Sequence, residues 1–557
     1  MSPIRRTAGA VLIDELVTLG VTRYYSVPGE SFLAVLEALR AEDRARLIST
    51  RHESGASFMA EADAKLTGVP AVAMATRAPG AANLAIGVHT AWHDSTPLVA
   101  LIGQVEARWY GSGLCFQEID LEAFYRPFTK WQATLEHPDD AARLARQAMA
   151  VATGGRPGPV VIALPNDVLS QQSDVPREVP APPSGTRRAS AAELAALSER
   201  LGSASAPVLI VGGRCRGSWD ELVRLAEGYG AGVYAAFRRQ DQFPNDHPAY
   251  LGHLTLRPAP AVLDALEHAD VVVALGCRMS EVTTQSFRLP AAGAFFVHVD
   301  PDAGGDYGPG RVPDVALDVD VAELIAALAD QAPGASPLER IGRAHGAYLR
   351  DRAPLAPSGA RAALQPDEVV AAMARRLPSD CVVTNDAGNF SIPLHRQWRF
   401  VRPNSQLAPT SGAMGYAVPA AVAAGIVDPS HLAVATVGDG GYLMTGQEIE
   451  TAVREHAKVV VVVFRNGLYG TIAMHQARSY GELSGVEIGA VDIARHAESL
   501  GALGLSVTDR SELDDALDMA VRSDRPAVLD VVVDPEAITP SARLGDLLAS
   551  ARSNPPT

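Results

Sequence analysis

The stretch "TVGDGGYLMTGQEIETAVREHAKVVVVVFRN", Thr436 to Asn466, places an acid inside a glycine cluster at one end and an asparagine behind five consecutive valines at the other. Leu432 to Val437 reads as a buried strand, and Thr445 to Ala457 as an amphipathic helix with Ile449, Ala452 and Val453 on one face. Val459 to Phe464 reads as the next strand. A helical crossover makes two such strands parallel. Asp439 and Asn466 are then expected just past neighbouring carboxyl ends, the edge where open α/β sheets bind ligands.

Gly438, Gly440 and Gly441 would let backbone N–H groups approach a phosphate closely. An Asp carboxylate and an Asn amide oxygen are hard ligands that suit Mg²⁺, which keeps few protein ligands beside phosphate and water. A metal and diphosphate site is the expectation. A G-D-G triplet alone is equally a tight turn whose acid caps the next segment. The asparagine 27 positions after the acid, at the end of the very next strand, separates the two readings.

Outward from this unit the same pattern repeats. Short continuous apolar runs alternate with helical periodicity: "AVAMAT", "LVALIG" and "PVVIALP" early, "PVLIVGG", "ADVVVALG" and "AFFVHVD" in the middle, "CVVTNDAG" and "AVLDVVV" late. Such runs suit strands covered on both faces, so the fold class is α/β with three doubly wound parallel sheets. Two Pro-rich, aperiodic stretches, Ser173 to Ser190 and Leu349 to Pro366, read as linkers and give domains at 1–172, 190–346 and 364–545. The 557 residues carry 48 basic and 64 acidic side chains, a net charge of −16 that argues against nucleic acid or an anionic membrane as partner. No uncharged apolar run is long enough to span a bilayer, and the four cysteines show neither metal spacing nor pairing, so a reduced, cytoplasmic protein is expected.

Three further motifs, with the opening one, carry a family resemblance: "STRHESGASFMAEADAKLTG", "TNDAGNFS" and "APTSGAMGYAVPAAVAAG". Together they resemble the thiamin diphosphate enzymes of the acetolactate synthase (acetohydroxyacid synthase) and pyruvate oxidase-like family, whose domains bind the pyrimidine, form a central unit and bind the diphosphate, in that order. The resemblance implies that Glu53 hydrogen-bonds N1′ of the aminopyrimidine, that Met414 wedges beneath the bent cofactor and that the carbonyl of Gly412 accepts from its 4′-amino group. It implies Asp439, Asn466 and the backbone carbonyl of Leu468 as Mg²⁺ ligands, with Gly388 and Asn389 at the far end of the diphosphate. Because Glu53 and Asp439 come from different subunits in that family, a homodimer or homotetramer with interfacial sites is implied.

The implied reaction is loss of CO₂ from a 2-keto acid, followed by addition to an aldehyde or ketone (carboligation) or by protonation (decarboxylation or acyloin cleavage). A non-catalytic scaffold would be expected to have lost Glu53, Asp439 or Asn466, and all three are present. On the substrate side, Gly29 and Glu30 of "VPGESF" occupy a loop that is often P-G-G in the synthases, and an acid there would repel an anionic keto acid unless it merely favours a helix start. Phe116 and Gln117 of "CFQEID" and His475 of "GTIAMHQARS" are further pocket candidates. No consecutive His-His and no Trp after the metal loop occur. FAD is a secondary candidate in the central domain, where "ALGCRMSEVTTQSF" resembles the flavin-carrying region of some relatives.

Overall fold

The five valines Val459–Val463 are fully buried, because helices cover both faces of the strand that holds them. The structure, a computed structural model, describes residues 6–174, 186–305, 307–334, 339–353, 363–540 and 542–553. Most of both expected linkers, 175–185 and 354–362, lies outside the described residues.

Three six-stranded parallel sheets follow one another along the chain. The first contains β1 (Arg23–Ser26), β2 (Arg46–Ser49), β3 (Ala71–Ala75), β4 (Leu98–Gln104), β5 (Trp131–Thr134) and β6 (Pro159–Pro165), in the order β2-β1-β3-β4-β6-β5. The central sheet contains β7 (Pro207–Val211), β8 (Gly232–Ala235), β9 (Tyr250–His253), β10 (Val271–Leu275), β11 (Phe295–Val299) and β12 (Val315–Leu317), in the order β9-β8-β7-β10-β11-β12. The last contains β13 (Val382–Asn385), β14 (Gln406–Leu407), β15 (Ala433–Gly438), β16 (Val459–Arg465), β17 (Leu503–Val507) and β18 (Ala527–Val532), in the order β14-β13-β15-β16-β18-β17. The first and last sheets therefore share one strand order. In both, the winding reverses between the first and third strands, and a crevice opens past their carboxyl ends.

Two helices differ from the expectation. Thr445 to Ala457 is not one helix: α4 (Asp439–Thr445) starts at the acid itself, and α5 (Glu448–Arg454) follows after Gly446 and Gln447. The break arises where Ile449 and Glu450 donate to carbonyls only three residues back, a tighter turn than the α-helix. Likewise the helix start at Glu30 is a single 3₁₀ turn, Glu30–Phe32, before the helix Leu33–Arg40.

The first and last sheets are joined through one apolar core. Helix α1 (Glu53–Thr67) packs on α2 (Ala78–Asp94) and on α3 (Ala417–Val427), whose sequence AVPAAVAAGIV is apolar on every side and correspondingly buried. Small residues set the spacing, since any side chain on Gly87 of α2 would collide with Ser57 of α1. A buried ionic group ties in the central domain: Asp94 binds Lys65 at 2.9 Å and Arg239 at 2.9 Å, while Glu61 accepts from Tyr416 at 2.6 Å. Burial alone would raise the Asp94 carboxyl, but Lys65 and Arg239 outweigh it and hold it down at about 2.

Candidate active site

The loop after β16 folds back on the start of α4. One Asp439 carboxylate oxygen accepts the Gly467 N–H at 2.7 Å and the other accepts its neighbour Gly440 at 3.0 Å, while the Asn466 amide oxygen accepts the Leu468 N–H at 3.0 Å. Asp439, Asn466 and Leu468 are thus held in one turn. Asp439 is buried, and burial raises its carboxyl above the ordinary range. Gly438 closes β15, and the next two glycines have close neighbours on the side where a Cβ would stand. A side chain on Gly441 would run into the Asp386 carboxylate, and one on Gly440 would reach the Tyr469 ring at 2.7 Å, so both are spent on close packing.

Asp386, which the sequence reading passed over inside "TNDAGNFS", fixes the neighbouring loop. Its buried carboxylate accepts the N–H groups of Gly415 at 2.8 Å and Tyr416 at 2.7 Å. Burial pushes it up to about 6 even though these donors favour the ionised form. The signal for it was an acid directly after the buried strand β13. The loop it holds carries Gly412 and Met414. Gly412 is exposed with φ +73, and the space its side chain would take is empty, while Met414 is half-buried. Gly388 and Asn389 come next after Asp386. The Asn389 amide oxygen accepts the Thr471 hydroxyl at 3.1 Å, which joins this turn to α6 (Gly470–Tyr480), the helix that follows the metal loop.

In the first domain Glu53 is the opening residue of α1, and its carboxylate accepts from the Asn83 side chain of α2 at 3.0 Å. A side chain on Gly80 would touch Glu53 and Thr76, each at 3.2 Å, and one on Gly29 would touch Thr76 at 2.8 Å. The Gln117 carbonyl accepts the Ala78 N–H at 3.2 Å. Gly29, Glu30, Glu53 and Gln117 therefore gather at one edge, past the carboxyl ends of β1 and β3. Gln117 adopts φ +62, a left-handed conformation unusual for a side chain with a Cβ. Phe116 beside it is 73% exposed. His475 lies exposed on α6, and the Gln476 side chain next to it accepts the Ser484 N–H at 3.0 Å. Among the described residues the Glu53 side chain makes no hydrogen bond to Asp439, Asn466 or Leu468.

Comparison with known proteins agrees with this division. Residues 6–124 match the N-terminal TPP binding domain of thiamine pyrophosphate enzymes, 194–328 the central domain and 386–531 the C-terminal TPP binding domain. The chain is 32% identical over 575 residues to the probable acetolactate synthase large subunit of Methanocaldococcus jannaschii, covering 98% of this chain and 95% of that protein. It belongs to the thiamine pyrophosphate enzyme family.

Within that family it is also 29% identical to an acetolactate synthase of Bacillus subtilis, over 96% of this chain and 94% of the relative. The thiamine diphosphate-dependent 4-hydroxybenzoylformate decarboxylase of Rhodococcus jostii RHA1 shares the fold, with a TM-score of 0.82 at 24% identity over 95% of this chain and 99% of its own.

The residues present fit a thiamine pyrophosphate enzyme's cofactor and metal. The Asp439 carboxylate, tied to the turn that carries the Asn466 amide oxygen and the Leu468 carbonyl, gives an all-oxygen set of the kind Mg²⁺ takes. No group of three His, Cys, Asp or Glu side chains able to hold a metal occurs among the described residues, so phosphate oxygens would have to complete this shell. A separate cavity of about 800 Å³ opens where the central sheet reverses, lined by Arg156, Arg214, Arg239 and Arg278. Among the described residues no helix is long and apolar enough to cross a membrane.

Proposed function

We propose that this chain is a thiamine pyrophosphate-dependent carboligase that removes CO₂ from a 2-keto acid and joins the remaining acyl unit to an aldehyde or ketone, as its acetolactate synthase relatives' name describes. The observation that carries it is the pairing of two edges of identical topology: Glu53 with Asn83 past β1 and β3, and the Asp439 and Asn466 turn past β15 and β16. When bound, thiamin diphosphate supplies the nucleophilic carbon and the electron sink for decarboxylation. Asp439, Asn466 and the Leu468 carbonyl would hold Mg²⁺ against its diphosphate, with Gly388 and Asn389 at the far end. Glu53 would hold a proton at the pyrimidine, with the Gly412 carbonyl and Met414 as the further residues that would seat the cofactor. Phe116 and Gln117 would bound the acceptor pocket, with His475 as a further candidate from the helix after the metal loop.

We read the working form as a homodimer or homotetramer in the cytoplasm, each site built from two chains. Carboligation and decarboxylation are both redox-neutral, so neither requires FAD. The deciding experiment incubates protein loaded with thiamin diphosphate and Mg²⁺ with 2-keto acids, alone and paired with aldehydes, and identifies products by mass spectrometry. Acyloins support the carboligase, and free aldehyde alone supports the decarboxylase. Failure to exchange the cofactor's C2 proton faster than solvent does would refute both.

A further inference from the structure

Arg77 stands two residues past the end of β3 and is the N-cap residue of α2, so it stands on the same edge as Glu53 and Gly29. Its side chain is only 14% exposed, and it donates no hydrogen bond among the described residues; its Nε is buried without a partner. A largely buried guanidinium without hydrogen bonds is costly, because it has lost water and has not replaced the bonds water made. The nearest carboxylate, that of Glu30, stands 3.6 Å away, too far to accept a hydrogen bond, and is itself 74% exposed and free to swing into solvent. Thr76, one residue before Arg77, bonds Ser31, one residue after Glu30, at 2.8 Å, so the two turns are pinned together while the charged pair between them stays loose.

We propose that Arg77 is a specificity-determining residue that binds the carboxylate of the anionic substrate, with Glu30 as the internal carboxylate that the substrate displaces. The guanidinium is planar, permanently charged and suited to bidentate pairing with a carboxylate, which a loosely placed Glu30 leaves unused. Glu30 then acts as a selector: an anion that cannot pair with Arg77 meets only the repulsion of Glu30, whereas one that pairs with it displaces Glu30 outward. This rests on the proposed 2-keto acid chemistry and names how that substrate is read.

The test uses full-length protein loaded with thiamin diphosphate and Mg²⁺, with calorimetric titration of two probes of similar shape: methyl acetylphosphonate, an anion that mimics a 2-keto acid, and the neutral diketone 2,3-butanedione. Arg77→Gln is expected to weaken the anion about 10- to 100-fold, the range of a hydrogen bond to a charged group, and to leave the diketone within about twofold. Glu30→Gln is expected to do the reverse and tighten the anion several-fold, a gain that a misfolded protein cannot give. Equal loss of both probes in Arg77→Gln, or no gain in Glu30→Gln, overturns the assignment. Failure of wild-type protein to bind either probe overturns the 2-keto acid reading itself, and Arg77 falls with it.

Discussion

At the scale of single residues, a glutamate at the start of a helix needs no function, since it favours the helix dipole wherever it occurs. Glu53 goes further, because its carboxylate is aimed across to Asn83 on the next helix instead of back at its own N–H groups. Glu53→Gln keeps the shape and the acceptor oxygen but removes the proton exchange. It is therefore expected to retain thiamin diphosphate affinity and lose about 10²- to 10⁴-fold in turnover, the usual share of a general acid or base. Calorimetry and steady-state rates check the two halves separately, and near-normal turnover would remove Glu53 from the mechanism. Asp439→Ala acts on the other side: cofactor retention should become weak and insensitive to added Mg²⁺. Tight binding that still depends on Mg²⁺ would show that the metal lies elsewhere.

At the scale of elements, the start of α1 is held from the far end of the chain. The buried Glu448 carboxylate of α5 accepts the N–H groups of Arg51 at 3.0 Å and His52 at 3.0 Å, the two residues before Glu53. Burial raises Glu448 to about 7, against an ordinary value near 4.5. The folded protein therefore binds this proton more tightly than the unfolded chain. The stabilisation is complete below the unfolded value and is lost as pH rises through about 7, an effect on the order of 3 kcal/mol. Glu448→Gln, which cannot ionise, is expected to show a melting temperature that changes less between pH 5 and 8 than that of wild type. Identical pH profiles would place the titration in another group. None of this was legible in the sequence. The strand-helix-strand unit and the Asp439 and Asn466 edge could be read because they depend on spacing within one segment. The helix break at Gly446, the anchoring by Asp386 and the burial of Glu448 depend on partners that only the folded chain supplies, Arg51 being 397 positions away from Glu448.

At the scale of the whole molecule, the shared core of α1 and α3 fixes how the first and last domains of one chain sit, and among the described residues Glu53 makes no hydrogen bond to its own Asp439 turn. If each site takes its halves from two chains, coexpressing Glu53→Gln with Asp439→Ala should rescue activity. Half of the dimers are then mixed, and each mixed dimer contains one site with both native halves, so about a quarter of wild-type sites return. No rescue would mean that one chain builds its own site. The repeated strand order has a further consequence, about descent. Gly29 and Glu30 stand three and four residues beyond the end of β1, and Gly388 and Asn389 stand three and four residues beyond the end of β13. The two halves are what a duplicated ancestral unit would leave after its copies diverged, one toward the pyrimidine and the other toward the diphosphate. On that view Glu30 is the sister position of Asn389.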